Sequence, residues 1–153
     1  MLKQDYLVRM FSDFARAIRL AVERSRGKDP DPDGTAEMLE LQLDAAIDMD
    51  SSLLLNLAPE SVASVLQVSG TDPRLVEYIC RTLLLESRVL MDAGKEELSD
   101  LREDQAFAVA EAFGLQLDAH SISAEGFEEL FDDTFPEDYR ELRDDALPED
   151  CQE

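Results

Sequence analysis

The sequence predicts an all-α protein, and three features predict it. Apolar residues recur at steps of three and four, no β-branched alternation is bounded by hairpin turns, and Pro, Gly, Asp and Ser fall where helices start and stop. The expected architecture is six or seven helices in short-looped antiparallel hairpins. At 153 residues the chain suits one domain. That domain is expected over residues 1–147, with a frayed acidic tail at 148–153.

Residues 1–26 form the first element. Leu7, Phe11, Phe14, Ile18 and Val22 make one stripe of a long amphipathic helix over 3–26. Gly27 stops it. The stretch 27–34, reading GKDPDPDG, carries two glycines and two prolines and is expected to be a linker. An acidic helical body over 35–147 follows.

Leu39, Leu43, Ala46 and Ile47 share a face of the next helix. Ser51 or Ser52 can cap a short turn bearing Leu53, Leu54 and Leu57. Pro59 suits the first position of a helix that places Val62, Val65 and Leu66 inside and ends at Gly70. Asp72 before Pro73 opens a helix with Val76, Cys80, Leu83, Ser87 and Leu90 on its face, closing near Gly94. Leu98, Leu101, Ala106, Val109, Ala110 and Phe113 continue to Gly114, so the last two elements pair as a helical hairpin. Ser123 caps a helix bearing Phe127, Leu130 and Phe131, and Pro136 opens a last one with Tyr139 and Leu142.

Charge narrows the partner classes. The net charge is -22, from 14 Lys plus Arg against 36 Asp plus Glu, which repels a phosphate backbone; nucleic acid is not expected as a partner. The first 28 residues run against the rest, with seven basic and three acidic side chains. Cys80 and Cys151 form no metal or redox spacing, and Cys80 reads as a small buried hydrophobe. No signal-peptide pattern and no apolar run long enough for a membrane span is present, so a cytoplasmic protein is expected.

The motifs Lys3-x-Asp5-Tyr6-x-x-Arg9-Met10, Leu53 to Leu57 and Gly94-Lys95-Glu96-Glu97 resemble an uncharacterised bacterial family of short helical proteins, a domain of unknown function, over residues 1 to about 118. The hairpin from Pro73 to Gly114 is similar to a tetratricopeptide unit, with Gly94 at the turn and Ala106 at a small packing position. Ser99 and Glu103 depart from that repeat's Ala and aromatic, and no 34-residue period extends along the chain. The resemblance implies a helical-hairpin scaffold whose relatives mostly bind peptides or proteins.

Chemistry-bearing patterns are few. Asp29, Asp31, Asp33-Gly34 and Glu40 satisfy the spacing of a calcium loop, whose ion takes six to eight oxygens from alternate carboxylates and a bidentate Glu. Pro30 and Pro32 stiffen that loop, Ala36 stands where a large aliphatic is usual, and no second loop pairs with it. A solvated linker that caps the next helix is the favoured reading, with no metal and no cofactor. Acidic pairs such as Glu37 with Glu40 and Glu97 with Asp100 are similar to the metal-binding helices of all-α nucleotide pyrophosphohydrolases. Yet a chain this acidic carries roughly eight such pairs by chance. His120 is the only histidine, and Leu117 stands where a di-iron Glu-x-x-His would need its acid. No catalytic residue is assigned.

The expected function is therefore a non-enzymatic interaction or scaffold module with a protein or peptide partner. The alternatives are a metal-dependent nucleotide hydrolase using helical carboxylates, and a peripheral membrane protein docking by its first helix. Asp5, Asp13 and Glu23 interrupt that helix's basic face, which disfavours the membrane. On the first helix, Leu2, Tyr6, Ala17 and Leu20 lie beside the main apolar arc, bordered by Arg9 and Arg16. A monomer would leave that strip wet, so a homodimer through it is expected.

Overall fold

The computed structural model describes residues 2–28, 30–47 and 51–135, with the side chains of 2–4 and 51–52 left aside. Among them lie seven α-helices and one 3-10 turn, and no strand: α1 (Leu2–Arg26), α2 (Pro32–Ala46), α3 (Ser51–Leu54), α4 (Pro59–Val68), α5 (Pro73–Asp92), α6 (Glu96–Ala112), the turn His120–Ile122, and α7 (Ala124–Thr134). The fold class is all-α, as the period of the apolar residues dictates. No helix among them is long and apolar enough to cross a membrane. The expected helix opened by Pro136 and the tail at 148–153 lie outside the described residues, as do Asp29 and Cys151.

Local chemistry sets the ends. Pro32, Pro59 and Pro73 each occupy a first-turn position, where the missing N–H costs nothing. Asp31, Asp72 and Ser123 accept from Gly34, Arg74 and Gly126 backbone N–H groups. Helices α4, α5 and α6 end alike: Gly70, Gly94 and Gly114 take positive φ, and the next residue's N–H reaches back to Leu66, Leu90 and Ala110 carbonyls. The linker corrects one boundary. Because Asp31 caps and Pro32 is pre-set for helix, residues 32–34 are the first turn of α2 rather than loop.

Helix α5 is the axis of the molecule. It is buried nearly all round, from Leu75 to Leu90, so it packs against neighbours on several sides and not one. Its tightest neighbour is α6, and the pairs Ser87 with Ser99, Glu86 with Arg102 and Arg88 with Glu103 run antiparallel, giving the expected hairpin. Small side chains permit that approach: Ser99 Oγ donates to the Ser87 carbonyl at 2.7 Å, and Ala106 is fully buried.

The other side of α5 meets α1 and α7 through rings. Phe11 stacks on Tyr78 at 4.9 Å between centroids, Phe14 tilts against Tyr78, and Phe131 stacks beyond it. Tyr78 and Thr134 bond through their hydroxyls, and Thr134 also donates to the Leu130 carbonyl. Arg19 of α1 bonds both carboxylate oxygens of Glu128 at 2.9 Å and lies over the Phe131 ring. The chain reaches α7 across α5 because Arg81 donates to the Ser121 and Gly126 carbonyls. Gly126 is required there: a Cβ would stand 1.9 Å from the His120 carbonyl oxygen.

Candidate functional site

Two places gather what the surface and the core leave unusual. One is an apolar recess where the start of α1, the end of α2, the end of α4 and the start of α5 converge. Its volume is about 310 Å³, with Leu7, Ile47, Leu66 and Leu75 as its floor and Ser69, Thr71 and Asp72 on one wall. Tyr6 stands at the rim, 54% exposed, while Leu7 one residue on is buried. The recess lies where α4, ten residues long, ends and the chain turns at Gly70 before α5 begins. A volume at the lower bound of small-ligand sites suits one or two large side chains.

The other place is a closed polar node between α2, α5 and α6. Glu86 is fully buried, and so are Arg102 and Gln105. Arg102 Nε donates to Glu86 at 3.3 Å, its Nη2 to Glu40 at 3.2 Å, and its Nη1 to the Leu55 carbonyl at 2.8 Å and the Gln105 amide oxygen at 3.1 Å. Gln105 Nε2 in turn donates to the Leu55 and Leu57 carbonyls at 2.7 and 3.0 Å. These carbonyls follow the single turn α3, which cannot satisfy them itself.

Two acids face one guanidinium here. Glu86 Oε1 meets no N–H or hydroxyl donor, and its carboxyl faces that of Glu40. Such a contact is a hydrogen bond only if one carboxyl carries a proton. Burial pushes Glu86 up to about 9, the Glu40 contact adds to the rise, and Arg102 opposes it. Glu40 moves down, chiefly because Glu86 donates to it, with Arg102 helping. The proton therefore sits on Glu86, and the node at neutral pH holds one carboxylic acid, one carboxylate and one guanidinium.

The residues singled out in the sequence are dispersed. Helical residues 32–40 spread Asp33 and Glu40 about 10 Å along α2 instead of wrapping them round an ion. Asp31 caps α2, Asp33 pairs with Lys95 at 3.0 Å, and Glu40 belongs to the node. Among the described residues no three His, Cys, Asp or Glu side chains stand close enough to hold a metal. His120 is exposed and pairs with Glu129, which raises its pKa. Cys80 is buried as expected, and burial pushes its thiol up to about 12.

On α1, Tyr6, Arg9 and Arg16 are exposed and Leu20 is half-buried; the side chain of Leu2 lies outside the described residues. Ala17 corrects the expectation of a wet strip. It is 8% exposed, because α2, α5 and α7 together cover more of α1 than a single stripe. Of the interaction residues expected on α1, Tyr6 is the one that lines the recess.

Sequence reasoning missed Glu86, Arg102 and Gln105. The signal was present for Glu86, which sits inside LLLESRVL with Leu83 and Leu90 on its own face, an acid at an apolar position. Arg102 lies one turn from both Ser99 and Ala106 on α6, and Gln105 lies one turn beyond Arg102.

No protein-family model matches the chain, and neither a curated protein nor a solved structure matches it.

Proposed function

We propose that the chain is a non-enzymatic helical interaction module that receives one or two large apolar side chains of a protein or peptide partner in the recess beside Tyr6. The observation that carries this reading is the recess itself: a concave apolar floor with a few polar groups on one wall and an exposed aromatic at the rim, the composition of an anchor pocket. The likeness to helical-hairpin scaffolds points the same way, by analogy. The outer strip of α1, with Tyr6, Arg9 and Arg16 exposed, is where a second copy of the chain would bind.

Selection of displayed random peptides against the protein tests the reading. Peptides sharing an apolar anchor should be enriched, and Ser69→Phe, which places a ring in the recess from an exposed position, should weaken their binding at least tenfold, about 1.4 kcal/mol. Selected peptides that bind the Ser69→Phe variant as tightly as the parent chain would refute it.

A further inference from the structure

The polar node joins four pieces of chain. Glu40 comes from α2, Glu86 from α5, Arg102 and Gln105 from α6, and the carbonyls of Leu55 and Leu57 from the strap between α3 and α4. Leu55 of the strap is buried, as is Leu54 at the end of α3, while Leu53 and Leu57 face solvent. The Leu55 and Leu57 carbonyls accept from two α6 side chains, and one of these, Arg102, is oriented by the two carboxyls.

We propose that this node is a proton-operated latch: while Glu40 and Glu86 share one proton it holds the 55–57 strap by three bonds to its carbonyls, and when that proton leaves it gives up the Arg102 bond and loosens the strap. The charged groups facing Glu86 are Glu40 from α2 and Arg102 from α6, with Lys95 acting on Glu40 from the start of α6. Removal of the proton to solvent base turns Glu86 into a second carboxylate. Two anions then face one another in a buried site with one guanidinium between them. Glu40 has water within reach, since 38% of its side chain is exposed, and turning outward relieves the repulsion. Arg102 loses its Nη2 partner, closes on Glu86, and withdraws Nη1 from the Leu55 carbonyl. Gln105 alone then serves both strap carbonyls.

The recess shares no lining residue with the strap, so the latch and the proposed binding site stand or fall separately. The chain contains no tryptophan, so Leu53→Trp puts a single reporter on the exposed side of α3. Its emission should be steady from pH 6 to 8 and shift with a midpoint near 9, where Glu86 titrates, while far-ultraviolet circular dichroism stays constant. Adding Glu86→Gln, which keeps the shape and donor of the protonated acid, should abolish the shift. Adding Glu40→Gln at the surface removes the facing charge and should move the midpoint down by about one pH unit. A transition unmoved by Glu40→Gln, one that persists with Glu86→Gln, or none up to pH 10.5 would each overturn the latch.

Discussion

The recess and the node invert the usual placement of apolar and charged groups. At one end of the bundle Leu7, Ile47, Leu66 and Leu75 floor an open cavity; in the middle Glu86 and Arg102 are shut away from water. Both are departures from a core that is otherwise mostly apolar. The difference lies in what each leaves unsatisfied. The recess leaves apolar surface that only another apolar group can satisfy, which is a property useful toward a partner. The node turns inward: the Arg102 and Gln105 donors are spent on the two carboxyls and on the strap, and its function is internal.

The node and the recess part most sharply at Arg102. Arg102→Met removes the cation and takes a donor from the buried Glu86 carboxyl and from the Gln105 amide oxygen. We expect a loss of about 3–5 kcal/mol in chemical denaturation. The loss should grow with pH, because without the guanidinium both carboxyls hold protons more tightly in the folded state. Peptide binding at the recess should be unchanged wherever the variant is folded. The aromatic side of α5 supplies the contrast. Phe131→Ala should cost about 3–4 kcal/mol through its cavity, by the same amount at pH 6 and pH 9, since burial raises the Tyr78 hydroxyl on the ring stacked against it clear of that range.

Glu86→Gln acts in the opposite direction. The folded pKa of Glu86 lies above its unfolded value, so the folded state binds more protons between pH 4.5 and about 9, and stability falls as pH rises through that window. The amide has no proton to lose. The variant should gain stability over the parent chain as pH rises from 5 to 9, the gap being largest at pH 9 and closing toward pH 5. A constant gap across the range would mean that Glu86 is already ionised in the folded protein.

The smallest effect is expected at the linker. Asp31→Ala removes the cap on α2 and should cost about 1 kcal/mol, equally with and without millimolar calcium. A melting temperature raised several degrees by calcium in the parent chain alone would restore the ion-binding reading of residues 29–40.

Much of the fold was legible because helix ends are written in short-range chemistry. Asp72-Pro73, Ser123 and the glycines at 70, 94 and 114 mark boundaries without reference to the rest of the chain, and the Pro73–Gly114 hairpin follows from them. Residues 32–34 were misplaced because Pro reads as a breaker unless the preceding Asp is seen to cap it. The two sites were less legible for a different reason. Glu86 on α5 and Arg102 on α6 are 16 positions apart, and Glu40 is 46 before Glu86; only the packing of three helices shows that they meet. The recess likewise draws its lining from α1, α2, α4 and α5 together, which no local pattern encodes. Ala17 shows the reverse error, in that a one-stripe reading of α1 left exposed what three neighbouring helices cover.

The most direct test of the recess is methyl nuclear magnetic resonance of the labelled protein as a selected apolar-anchored peptide is added. The methyl groups of Ala46, Ile47, Val65, Leu66 and Leu75 should shift together and saturate together, with those of Ala17 and Leu20 on α1 unmoved. Shifts that map to the outer strip of α1 and leave the recess methyls in place would contradict the account.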